Sequence, residues 1–169
     1  MTPSTNHQYR SSVPLLLALI DQAFDHQSWH GTNLRGSIRG LTAAQAAWRP
    51  GRGRHNIWEL VVHAAYWKYA VRRRLTGDAR GSFPVRGSNW FVRPERGRDR
   101  EAAWQSDVAL LVETHRTLRG AVRALRRSQL GAHAHGGTTT IGALVTGIAA
   151  HDLYHAGQIQ LLKRLRSSR

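Results

Sequence analysis

Apolar residues along this chain recur at intervals of three and four, the spacing of helices with one buried face, and no stretch alternates as a strand would. Leu16, Ile20, Phe24, Leu34 and Ile38 share one such face. Ser11 and Ser12 precede it as caps and Pro14 sits in the first turn, so a first helix is expected from Val13 to about Arg39, with Gly31 and Gly36 as bending points. Thr42 with Gln45 three residues on has the form of a capping box for a short helix. WRPGRGR, residues 48–54, then interrupts the pattern. A second long helix is expected from the Asn56 cap to about Leu75, ended by Thr76 and Gly77, with Leu60, Ala64, Trp67 and Val71 inward and His63 beside them.

Residues 76–100 carry glycines, prolines and charges without periodicity. So long a connection exceeds what a simple bundle turn needs and is a candidate for covering a site. A third helix, about Glu101 to Arg127, has Trp104, Val108, Leu111, Leu118, Val122 and Leu125 on one face, and a neighbouring stripe of Arg116, Arg119, Arg123 and Arg126 reads as solvated. After the linker GAHAHGG, residues 131–137, the threonines 138–140 offer a cap for a last helix reaching about Leu165. The expected fold is all-α: a four-helix bundle with a short extra helix and a long crossover loop, without internal repeats.

Composition narrows the chemistry. At 169 residues one domain is expected, with the polar segment 1–11 flexible. With no cysteine, the chain offers no disulfide, thiolate metal site or cysteine nucleophile, and any thiol chemistry would use an external thiol. The apolar run Val13–Ile20 is too short to span a bilayer, and a cytoplasmic protein is expected. The net charge of +15, nearly all from arginine, could attract anions or nucleic acid. The arginines are spread along the chain, however, and no nucleic-acid recognition motif accompanies them, so nucleic acid is disfavoured as a partner.

The last helix carries an anomaly. Its apolar stripe of Ile141, Leu144, Ile148, Ile159 and Leu162 is completed by His151, His155 and Gln158, within HDLYHAGQ. Histidines four apart on a helix can both reach one ion at about 2.0–2.1 Å. Buried without such a partner, each ring still needs a donor and an acceptor satisfied. The alternative is that one ring bonds a buried carbonyl while the other lies at the bundle edge. The spacing lacks the glutamate of metalloprotease helices, since Asp152 and Leu153 follow His151. His63, inward and mid-helix on the second long helix, strengthens the metal reading. Three imidazoles from two helices leave positions open for water or substrate, as catalytic sites do, without choosing among Zn, Ni, Fe and Cu.

These residues resemble the DinB/YfiT-like metalloenzyme superfamily of up-down-down-up four-helix bundles. The resemblance rests on the histidine of IWELVVHAAYW together with the C-terminal HDLYHAGQIQLL, and it extends from the first helix through TAAQAAWRP to the end of the chain. It implies His63, His151 and His155 as ligands of a divalent metal, with Zn or Ni favoured and Fe, Mn or Cu compatible. Gln158 completes the motif, and no polymerase activity follows from the family name. Better-understood relatives couple low-molecular-weight thiols to electrophiles or isomerise thiol adducts. An S-transferase or hydrolase acting on a small molecule is therefore expected, the metal activating a thiol cosubstrate or water. The rival is a non-catalytic module that captures an anionic ligand or nucleic acid through its basic surface or a degenerate site.

Other residues carry weaker expectations. His30 falls on the inward spacing of the first helix and is a candidate for the pocket or for contact with a ligand. Glu59, one turn before His63, could orient a ligand or act as a base, although a helix-surface carboxylate among arginines needs no such role. His115 reads as a satisfied core histidine, and His133 and His135 as exposed. Trp29, Trp58, Trp67 and Trp104 fit core or interface positions. Trp90 and Phe91, large aromatics in a polar loop, suggest a lid over the site or a contact with a second subunit, and a homodimer is compatible with them.

Overall fold

The computed structural model describes residues 12–81 and 83–168; the tail expected to be flexible, 1–11, lies outside them. Among the described residues the chain forms six α-helices and no strand: α1 (Val13–Phe24), α2 (Leu34–Ile38), α3 (Ala43–Ala46), α4 (Ile57–Thr76), α5 (Arg100–Arg123) and α6 (Ile141–Ser167). The sequence places their boundaries by side-chain caps. Ser12, Asn33, Asn56 and Thr140 each accept a hydrogen bond from the first turn that follows, and Thr42 with Gln45 closes a capping box on α3. Gly77 ends α4 at φ 81°, where a side chain would be strained.

Two clusters of buried apolar side chains define the bundle's ends. One gathers Leu16 and Ile20 of α1, Val71 and Leu75 of α4, Leu118 and Val122 of α5, and Ile141 and Val145 of α6. The other gathers Phe24 with Ile57, Trp58 and Val61 of α4, Trp104 and Leu111 of α5, and Ala156 and Ile159 of α6. Since α4 and α5 begin in the second cluster and end in the first, they run parallel to each other and antiparallel to α1 and α6. This is the up-down-down-up order. Two parallel neighbours need a connection that travels the length of the bundle, which is why residues 77–99 form a long crossover. The loop is tied down: Arg93 Nε donates to Asp107 at 2.7 Å, Arg49 Nε donates to Glu95 at 2.8 Å, and Phe91 is buried against Tyr66 and Phe83.

The chain departs from expectation at four places. The first helix stops at Phe24 rather than Arg39: Gly31 takes φ 100°, and Asn33 caps α2 while its amide donates to His26 O at 2.8 Å. The third long helix ends at Arg123, with a separate 3-10 turn at Arg127–Gln129. Arg119, on the stripe expected to be solvated, makes a two-pronged bond to Asp21 and so joins α5 to α1. Trp29 is fully exposed in the turn after α1 and Trp67 is 38% exposed, whereas Trp58 and Trp104 are buried and bond Asp107 and Leu41 O through their indole nitrogens.

Candidate metal centre

His63 from α4 and His151 and His155 from α6 meet between the two helices. One nitrogen of each lies within 4.8 Å of the others, and the group could hold a metal ion. Backbone spacing brings the α6 pair together, four residues apart on one face. The antiparallel run of α4 against α6 brings His63 to the same level. His151 Nε2 lies 3.1 Å from both His63 Nε2 and His155 Nε2.

The outer nitrogens explain why the inner ones face one another. His63 Nδ1 donates to the backbone carbonyl of Asn89 at 2.7 Å, which leaves its Nε2 as a lone pair. His155 Nδ1 donates to Gln158 Oε1 at 2.7 Å, with the same result. His151 Nδ1 is buried with no partner among the described residues. A proton on His151 Nε2 could be donated to only one of its two neighbours at 3.1 Å, which leaves the other Nε2 lone pair without a donor. A shared cation satisfies all three, and this donor set therefore fits a divalent metal. The site also resists protonation. Burial first, then the neighbouring imidazoles, pushes His63 down to about 4 and His151 to about 3, and burial lowers His155.

Asn89 is the non-glycine residue with positive φ among those described, at 62°, and its side-chain oxygen accepts from Trp67 Nε1 at 3.0 Å. That pinning sets the crossover loop against His63. Trp90, the next residue, stacks on His63 and on His55 and lines a cleft of about 500 Å³ beside His155 and Gln158. Leu60, Tyr154, Leu161, Leu162 and Leu165 supply its apolar wall, with Arg54 and His55 also in the lining.

Of the other sequence candidates, His30 is not brought to the group: α1 ends before it, and it lies exposed in the following turn. Glu59 is near in sequence but otherwise engaged. It is a buried carboxylate, not a surface one, and Arg49 binds it through both terminal nitrogens while His55 Nδ1 lies 2.9 Å away. Burial alone would raise its pKa, but these hydrogen bonds hold it below the usual carboxylate range. His115 is buried and stacked on Phe24, and burial with the nearby Lys68 and Arg119 charges pushes it down to about 3. His133 and His135 are exposed.

Sequence reasoning missed Asn89, which acts through its backbone and so leaves no residue-type signal, and His55, which looks like a surface residue before a cap. It also missed a buried ion pair next to the site. Lys68 Nζ donates to Asp152 Oδ2, both side chains are 1% exposed, and Asp152 directly follows His151. Burial lowers the Lys68 pKa and raises Asp152 to about 6, while their mutual attraction opposes both shifts.

A family model described as the DinB superfamily matches residues 26–159. No curated protein and no solved structure gives a significant match.

Proposed function

Because this chain belongs to the DinB superfamily, we propose that it is a divalent-metal-dependent enzyme that joins a low-molecular-weight thiol to a small electrophile. Hydrolysis is the related alternative at the same site. The observation that carries this reading is the convergence of three Nε2 atoms at the edge of an apolar cleft, with two of the outer nitrogens held by Asn89 O and Gln158. When bound, a divalent ion supplies Lewis acidity, lowering the pKa of a thiol or a water in an open position.

The chain's own residues do the rest. His63, His151 and His155 bind, and Asn89 O and Gln158 Oε1, by accepting the Nδ1 protons of His63 and His155, keep those two protons turned away from the centre. Leu60, Leu161, Leu162 and Trp90 give the cleft an apolar surface suited to an apolar electrophile. That lining favours thiol transfer over hydrolysis. Arg54 at the same cleft would draw an anionic group on either substrate. Glu59 is held by Arg49 and is not assigned as a base.

The test is to load the protein with Zn, Ni, Co and Mn in turn and follow consumption of glutathione and of cysteine with an epoxide and with an aryl halide, beside ester hydrolysis. A rate that needs the metal and disappears in His151→Ala supports the reading. Rates that ignore both the metal and the substitution would overturn it.

A further inference from the structure

A second cleft, of about 780 Å³, opens between the C-terminal half of α4, the first part of the crossover loop and the α5–α6 linker. Arg73, Arg74, Arg80 and Arg86 line it, and Asp78 is the one carboxylate residue among its described lining. Asp78 is already engaged by Arg72 at 2.7 Å. The end of α4 adds about half a negative charge, so four guanidiniums against these two leave roughly +2.5. Elsewhere several arginines are paired with carboxylates: Arg49 with Glu59 and Glu95, Arg93 with Asp107, Arg116 with Glu113, Arg119 with Asp21. Among the described residues Arg80 and Arg86 are in no ion pair, and both are exposed.

The rim is built rather than loose. Arg74 Nε donates to His135 O at 3.3 Å and its guanidinium lies on Gly137, where an added Cβ would come within 2.3 Å of it. The His135 ring packs likewise on Gly77, 3.2 Å from where a Cβ would stand. The inner wall is aromatic, with Tyr66, Tyr69, Phe83 and Trp67. Trp67 has its N–H taken by Asn89. The rings around it, His63, Tyr66 and His151, meet it edgewise at 5.8–6.3 Å, so none lies flat against it. Cations for a phosphate and an unstacked indole thus share one concave surface.

We infer that this cleft binds a small phosphorylated molecule carrying a planar ring, with its phosphates among Arg73, Arg80 and Arg86 and its ring on Trp67. The site is independent of the proposed metal chemistry, although Trp67 places its inner end beside His63 and His151.

The test is calorimetric titration of the full chain, at near-physiological salt, with ADP, pyrophosphate, adenosine and a single-stranded oligonucleotide. ADP binds saturably, roughly tenfold tighter than pyrophosphate and more tightly than adenosine. The Arg80→Ala/Arg86→Ala double variant, altered only at exposed positions, weakens ADP by at least about tenfold with an unchanged melting curve. Trp67→Leu removes the preference for ADP over pyrophosphate, and His155→Ala, whose ring does not touch Trp67, binds ADP as the parent does. Four results would each overturn the inference: no saturable ADP binding, undiminished affinity in the double variant, loss of ADP binding in His155→Ala, or an oligonucleotide bound more tightly than ADP.

Discussion

Trp90 lies flat on His63, ring centroids 4.0 Å apart and planes at 12°, and the same indole stacks on His55 at 3.6 Å and 8°. The crossover loop therefore reaches the centre twice in succession, through the Asn89 carbonyl on His63 Nδ1 and through the Trp90 ring on its face. Since Trp90 donates no nitrogen to the group, Trp90→Leu should retain its metal and fold. It should lose most of the change in intrinsic fluorescence that metal addition causes in the parent. Metal analysis and emission titration check this, and loss of metal together with fold in the variant would contradict it.

Gln158 acts on the centre through His155. Its Oε1 accepts the His155 Nδ1 proton at 2.7 Å, fixing the tautomer that exposes Nε2. Gln158→Leu should weaken metal binding by roughly 10–100-fold, while Gln158→Glu, which keeps the acceptor, should not. Competition with a metal chelator gives both affinities. Equal weakening in the two variants would mean that the acceptor does not matter.

The buried Lys68–Asp152 pair joins α4 to α6, with Asp152 directly after His151 in the chain. Lys68→Met alone leaves a buried carboxylate without its partner and should cost about 3–5 kcal/mol. Adding Asp152→Leu removes the stranded charge and should recover most of that loss. Urea unfolding of the two single variants and the double variant measures the coupling. Additive losses would show that the pair does not act as a unit.

Much of this was legible in the chain, for physical reasons. Caps such as Asn56 and Thr140 act within one turn, so their signal is local and the starts of α4 and α6 follow from it. His63, His151 and His155 stood out because imidazoles occupied positions that helical spacing assigns to the core. The break after Phe24 was hidden, since Leu34 and Ile38 keep the same spacing across it and return to the core from a separate helix. That break also carried His30 away from the group. Asn89 and the depth of Lys68 were not legible. The first works through its backbone carbonyl, and the second is buried only because Asp152 from a helix 84 residues away neutralises it.

Acid should destabilise the metal-free protein. Burial holds His151 and His115 at about 3 and His63 at about 4, below the value of about 6.5 for an unfolded chain. Between those limits the unfolded state binds more protons than the folded one. Stability from these groups is therefore full above about pH 6.5 and falls as pH drops toward 3 to 4. Asp152, raised to about 6, works in the opposite direction but is a single group. Melting temperatures of metal-free protein should fall between pH 7 and pH 5, and the gain from added metal should shrink over the same range as protons compete for the ligands. A flat profile would contradict the burial of neutral imidazoles.

The most direct measurement is elemental analysis of tag-free protein, purified without a metal column, beside His151→Ala and His155→Ala shown by circular dichroism to be folded. Close to one divalent ion per chain in the parent, and its loss in both variants, is the expected result. A parent that takes up no metal even after reconstitution, or folded variants that keep it, would contradict a centre built on His63, His151 and His155.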